Sequence, residues 1–214
     1  MVALLGLLQL AHFGCSGKSV ENGDPAELFK QANDDISSDH FEMAIDKLKI
    51  IKNKYPYSKY AVDASLRLAD VYFMQEDYTE AALAYESFRD LHPKNPKVDY
   101  AMFRIGLSYY NDAPSNVARD LSPDRKAEDA FNDFIQRFPG DPNAAEARKD
   151  LGDARANLAK KELYVGNFYY KRHFYDSAKG RYEELLSLYP ETPPANEARE
   201  KLAKIEKDNL HNEQ

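Results

Sequence analysis

The stretch LADVYFMQEDYTEAALAYESFRDLHP, residues 68–93, holds two apolar faces at helical spacing. Leu68, the small Ala69 and Tyr72 share the first. Tyr78, Ala81, Tyr85 and Phe88 share the second, since residues three, four and seven apart stack on one side of a helix. His92-Pro93 then closes the run, because proline cannot continue a helix. Outward from this segment the same closing pair returns as Tyr55-Pro56, Phe138-Pro139 and Tyr189-Pro190. Twelve residues before each proline stands an alanine: Ala44, Ala81, Ala127 and Ala178. Three before the alanine come Phe41, Tyr78, Asp124 and Tyr175, so only the third copy departs from an aromatic. Four and seven after it come Leu48 and Ile51, Tyr85 and Phe88, Phe131 and Phe134, Tyr182 and Leu185. Each is the second helix of a helical pair.

Twelve residues before those alanines lie Ala32, Ala69 and Gly166, the small residues of a preceding helix. In the third copy the matching residue is Gly106, nine positions early, which places a nine-residue insertion at residues 111–119. The proline intervals agree, being 37 from Pro56 to Pro93 and 46 from Pro93 to Pro139. The last interval, from Pro139 to Pro190, is 51, an excess of about four helical turns over the first. No proline interrupts residues 143–172, so the first helix of the fourth pair is expected to approach thirty residues. Pro193-Pro194 can then start a lone final helix with Ala198, Leu202 and Ile205 on one face.

The order Leu or Ile, small residue, Tyr, then Ala, aromatic and Pro resembles the tetratricopeptide repeat. The physical logic is packing: the small residue lets two helices approach while aromatics fill the next groove. The expected fold is all-α, a right-handed solenoid of about four and a half repeats. The expected layout is a signal peptide at 1–14, a tether at 15–24 and a repeat domain at 25–208. Its repeats are 25–58, 59–96, 97–142 and 143–192, with a final helix at 193–208 and a tail at 209–214. The chain has no Trp, and the first-helix Trp of the repeat is replaced by Leu28, Ser65, Met102 and Glu162.

Composition narrows the function. Of 214 residues, Lys plus Arg number 29 against 36 Asp plus Glu, a net charge of -7 that opposes a broad phosphate-binding footprint. Nucleic acid is not an expected partner. One cysteine and 5 scattered histidines make no metal-ligand cluster, so neither metal nor cofactor is expected. Asp34-Asp35 and Glu183-Glu184 are adjacent helical residues that point apart, not acid/base pairs. With no nucleophilic constellation, the expected role is non-enzymatic. Gly17-Lys18-Ser19 ends like a phosphate-binding loop, but position 12 is His and no strand precedes it.

The opening MVALLGLLQLAHFGC, residues 1–15, is an apolar stretch ending in Gly14 and the single Cys15, and resembles a bacterial lipoprotein signal. No Lys or Arg precedes the apolar stretch, and His12 stands where such signals usually carry Leu. Lipidation of Cys15 would tether the domain without inserting it, each buried methylene adding about 0.8 kcal/mol of membrane affinity. Ser16 in place of Asp resembles the outer-membrane sorting case. SGKSVENGDP, residues 16–25, is small and polar, as a tether requires.

Repeat arrays present a groove lined by their first helices. The groove-facing positions are Ala26, Phe29, Asn33 and Ile36, then Asp63, Leu66, Asp70 and Phe73, then Tyr100, Phe103, Leu107 and Tyr110, with Arg67 and Arg104 nearby. They do not reproduce the Lys and Asn carboxylate clamp of chaperone-binding repeats. They suit an extended peptide with aromatic side chains.

AELFKQANDDISSDHFEMAIDKLKIIKNKYPYSKYAVDASLRLADVYF (26–73) and YYKRHFYDSAKGRYEELLSLYP (169–190), with the insertion and long helix between them, resemble the BamD family of outer-membrane assembly lipoproteins. The resemblance implies a lipid-anchored scaffold at the periplasmic face of the outer membrane. Its C-terminal repeats would join a BamA-type barrel protein, with Arg172 matching the family's helix-turn arginine beside Tyr170 and Lys171. Its N-terminal repeats would receive unfolded β-barrel clients near Phe29, Phe73, Tyr100 and Phe103. Two other readings keep the fold: a Tol-associated periplasmic adaptor, and a pilus-secretin assembly lipoprotein. No heptads of the coiled coil usual in the first precede Pro25.

Overall fold

Each aromatic-Pro or His-Pro pair ends a helix. The computed structural model describes residues 23–212, and Cys15, with the signal and most of the tether, lies outside them. The described helices are α1 (Pro25–Ser37), α2 (Phe41–Lys54), α3 (Tyr60–Met74), α4 (Tyr78–Leu91), α5 (Val98–Asp112), α6 (Ser122–Arg137), α7 (Ala144–Lys171), α8 (Tyr175–Leu188) and α9 (Pro193–Asn212). Proline disfavours α conformation in the residue before it. Tyr55, His92, Phe138 and Tyr189 accordingly leave the helix at φ -125, -129, -129 and -133° with ψ from 46 to 57°. Their amides still donate to Ile51, Phe88, Phe134 and Leu185 carbonyls at 2.8 to 3.0 Å.

Three turns within pairs pass through the left-handed region without glycine, at Asp39 (φ 58°), Glu76 (63°) and His173 (61°). Such a residue costs about 1–2 kcal/mol. The following amides of His40, Asp77 and Phe174 reach back to Asp35, Tyr72 and Tyr169 carbonyls at 2.9, 3.0 and 3.0 Å, the Schellman closure of a helix end.

Consecutive helices pack into a tetratricopeptide-like solenoid with three connected cores. Leu28, Ala32, Ala44, Leu48 and Ile51 join α3 residues in the first. Tyr85, Phe88, Met102, Ile105, Phe131 and Phe134 build the second, to which α7 adds Ala144, Ala147 and Ala154. The third takes Leu158 and Ala159 from the other half of α7, with Ala178, Tyr182, Leu185, Ala198 and Ile205. Helix α7 is 28 residues long and therefore belongs to two cores.

The insertion forms the segment between α5 and α6, with α5 continuing through Asp112. Its Leu121 is buried and joins Val117 in the third core, while Lys161 Nζ of α7 donates to the Ala118 and Arg119 carbonyls, both at 3.1 Å. The extra turns of α7 thus support the extra loop. Arg155, on the same turns, pairs with Glu128 of α6 and with Glu191 (2.6 Å), and donates to the Leu188 carbonyl at 2.6 Å. Helix α9 runs to Asn212, so residues 209–212, expected as tail, are helical.

Two positions bear the closest helix approach. A Cβ on Gly106 would lie 2.5 Å from Cδ1 of Phe131, and one on Gly166 would lie 2.5 Å from Cε1 of Tyr182. Both rings are fully buried and have no room to turn aside. Gly106→Ala and Gly166→Ala are each expected to lower unfolding free energy by about 1–3 kcal/mol in urea denaturation.

Asp124, the residue that breaks the aromatic pattern, is fully buried. Asn157 Nδ2 donates to its Oδ1 at 3.3 Å, and Oδ2 has no partner among the described residues. Burial pushes this carboxyl above the ordinary carboxylate value, against smaller opposing effects of Asn157 and Lys160. Folding therefore favours the neutral acid. Its stability is complete below the unfolded carboxyl pKa of about 3.9 and falls as pH rises through the raised folded value. Asp124→Asn is expected to melt above the wild type at about pH 7, with the gap closing near about pH 3.

Candidate functional site

The first-helix face of repeats one to three is joined by a continuous polar network. Asn33 of α1 donates through Nδ2 to its own helix at the Phe29 carbonyl (2.8 Å), which turns Oδ1 toward Arg67 of α3, whose Nε donates to it at 3.1 Å. Arg67 Nη1 stands 3.6 Å from Asp70 Oδ2, one turn along α3. Asp70 Oδ1 accepts two phenol hydroxyls, from Tyr85 of α4 at 2.7 Å and Tyr100 of α5 at 2.8 Å. Arg104 of α5 donates through Nε to the Tyr85 oxygen at 3.2 Å. Its guanidinium carbon lies 3.5 Å above the Phe73 ring centroid and 5.7 Å from those of Tyr85 and Tyr100.

Electrostatics follow from burial. Burial, then the Asp70 charge, pushes both the Tyr85 and Tyr100 hydroxyls above the ordinary phenol value, so both remain donors at neutral pH. Asp70, 13% exposed at its side chain, has its buried oxygens satisfied by two hydroxyls and Arg67. Beside it a cavity of about 200 Å³ is lined by Phe29, Asp63, Leu66, Arg67, Asp70 and Lys97. Phe29 stacks near Tyr60 at 5.6 Å, and Lys97 pairs with Asp63 at 3.1 Å.

Asn33, Arg67, Asp70, Phe73, Tyr100 and Arg104 are thus brought together, and Phe29 borders them across the cavity. Phe103 is not on this face: it is 5% exposed and packs against Phe134 and Phe131 at 5.6 and 6.4 Å. The rings of α6 cover it, so the groove expectation for Phe103 is corrected, as it is for the buried Ile36. Leu66 is buried as well but still lines the cavity. Tyr110 stands apart from the network, half-buried and edge-on to Phe131 at 6.5 Å. Tyr85 was legible only as a repeat aromatic. The signal for its second role is that Tyr85 and Tyr182 have Asp70 and Asn167 fifteen residues earlier, and Tyr182 donates to Asn167 Oδ1 at 2.8 Å.

A second surface lies at the end of α7. Tyr170 is half-buried, edge-on to Tyr175 at 5.6 Å with Lys201 Nζ 4.7 Å from its centroid. Lys171 and Arg172 are exposed, and Arg172 rests 4.6 Å from the Phe168 ring. Tyr164, Phe168 and Phe174 are exposed by 52%, 46% and 58%, of which Phe168 lies against Arg172, a run of exposed rings along this stretch of chain that periodicity alone did not single out. Among the described residues no helix is long and apolar enough to cross a membrane, and no acidic, His or Cys group is placed to hold a metal.

Asp70→Ala would leave the Tyr85 hydroxyl buried without its acceptor and Arg67 without its carboxylate. The expected loss is about 1–3 kcal/mol of unfolding free energy. Asp70→Asn, which keeps an acceptor, is expected to lose less in the same denaturant titration.

The family described as YfiO, outer membrane lipoprotein, matches residues 21–212. An outer membrane protein assembly factor BamD from Vibrio cholerae is 30% identical over 210 residues, 92% of this chain and 87% of that protein. A relative of the same name from Neisseria meningitidis serogroup A is 30% identical over 175 residues, 78% of this chain, and the match spans 66% of the relative's length, just under two thirds. Among solved structures, a tetratricopeptide repeat protein from Parabacteroides merdae superposes with a TM-score of 0.44 at 17% identity, over 86% of this chain and 60% of that one. Helix order, insertion and long α7 thus accompany a family match over nearly all described residues, and the chain belongs to the YfiO outer membrane lipoprotein family, that of the BamD assembly factors.

Proposed function

We propose that this chain is a non-catalytic scaffold for outer-membrane β-barrel assembly, tethered to the periplasmic face of the outer membrane through a lipid on Cys15. Family membership supports the assembly role. The observation that carries the two-partner reading is the pair of dissimilar surfaces: a stacked, hydrogen-bonded aromatic face on α3 to α5, and the exposed Phe168 against Arg172, with exposed Phe174 next along the chain, at the α7–α8 turn. The first suits an extended client segment with aromatic side chains, held near Phe29, Asn33, Arg67, Asp70, Phe73, Tyr100 and Arg104, with Tyr110 at its margin. The second suits a folded domain of a BamA-type barrel protein, with Tyr170, Lys171 and Arg172 at the contact. Exposed rings flanked by an arginine are the composition of interface hot spots.

The test is a tagged pull-down from detergent-solubilised envelopes with Arg172→Glu. Recovery of a large barrel protein is expected to fall about tenfold or more, with helical circular dichroism unchanged. Undiminished recovery removes the Arg172 assignment, and recovery of wall-linked or secretin components in place of the barrel protein overturns the assembly reading. Intact mass of the same sample is expected to show an acylated N-terminal Cys15, and an unprocessed Met1 would contradict the anchor.

A further inference from the structure

Arg104 differs from the other cations of the first-helix face. Arg67 is held by Asn33 and Asp70, and Lys97 by Asp63. Among the described residues Arg104 makes no ion pair. Its Nε is occupied by the Tyr85 oxygen, while Nη1 and Nη2 have no protein acceptor and are not sealed from solvent. Asp70, in the same network, does not fill that role. Its Oδ1 already accepts from Tyr85 and Tyr100, and its Oδ2 faces Arg67.

The guanidinium is nonetheless held in place. Phe73 lies against its plane at 3.5 Å, Tyr85 and Tyr100 flank it at 5.7 Å, and the Tyr85 hydroxyl pins one edge. Stacking uses the π-face of a guanidinium and leaves its in-plane donors free. What remains is an immobilised fork of N–H donors that no carboxylate contacts, the complement of the two oxygens of a carboxylate. Phe73 in turn meets Tyr78 edge-on at 5.1 Å, which extends an aromatic wall beside the fork. Because three rings hold the fork before any ligand arrives, little further ordering is needed when a carboxylate docks.

We propose that Arg104 is the seat for a carboxylate of the bound peptide, with Phe73 and Tyr78 receiving an adjoining apolar side chain. This rests on the client-groove reading above. A chain-terminal carboxylate and an Asp or Glu side chain offer the same chemistry at this seat, and the test separates them.

Labelled extended peptides ending in Phe are titrated against the full chain in detergent by fluorescence anisotropy. Three forms are used: free acid, C-terminal amide without acidic residues, and the same amide with one Glu near its end. Wild type is expected to prefer a carboxylate-bearing form about tenfold over the uncharged amide. Arg104→Gln is expected to abolish that preference, weakening the carboxylate-bearing form by more than the uncharged amide. Arg104→Lys, which keeps the charge without the fork, should fall between, as should Phe73→Leu, which keeps the arginine and removes its platform. Preference for the free acid identifies a chain terminus, and preference for the Glu form identifies a side chain. Equal wild-type affinity for all three forms overturns the Arg104 seat while the groove stands. An equal loss for all forms in Arg104→Gln also overturns it, since the arginine would then be acting only as structure. Failure of every form to bind wild type overturns the groove and the seat together.

Discussion

The contact on which the rest depends is that between a small residue of a first helix and a ring of the second. Gly106 against Phe131 and Gly166 against Tyr182 leave no space even for a methyl, while the first two repeats carry Ala32 and Ala69 at the same place. Close approach at that point lets the ring bury completely, and a buried aromatic side chain contributes about 1.5–3 kcal/mol of hydrophobic free energy. It also sets the tilt between helices, and hence where the remaining side chains of each first helix stand. Asp70 and Arg104 of the polar network are placed by this packing, since they stand one and two residues from Ala69 and Gly106.

A polar network built on that frame needs complete satisfaction, since a half-buried carboxylate without donors is costly. Asp70 meets the condition with two hydroxyls and an arginine from three helices. The pairing follows the repeat: where the second-helix residue is Tyr85 or Tyr182, the first helix offers Asp70 or Asn167. In repeat three the ring is Phe131 and the corresponding residue is the apolar Leu107. The polar face is therefore concentrated in the first three first helices, around α3 and α5, and the bare aromatic surface belongs to the last pair.

The loop between α5 and α6 and the extended α7 are one device in two pieces of sequence. Lys161 caps loop carbonyls, Leu121 plugs the third core, and Arg155 ties α6 to the α8–α9 turn. By contributing to both the second and third cores, α7 joins the repeats that carry the Asp70 network to the end of the array that carries Arg172. A short helix in its place would leave two arrays joined by a turn.

The helix ends marked by proline, the presence of the insertion and the unusual length of α7 were legible in the sequence, because each is set by short-range sterics: proline acts on the residue before it, and helical spacing acts within a turn or two. Most residues of the first-helix face followed from the same counting. Beyond the left-handed turns at Asp39, Glu76 and His173, which carry no glycine to announce them and are closed by local backbone bonds, two things were decided only by tertiary structure. Phe103 occupies a groove position by periodicity but is covered by Phe131 and Phe134 from a helix beyond the insertion. Arg104 acquires its character from Phe73, Tyr85 and Tyr100, two of which lie on other helices, and from an Asp70 already taken by others. Local chemistry names which groups are present. Whether a charge is spent or left free depends on partners far away in sequence, and only the packed helices bring them within reach.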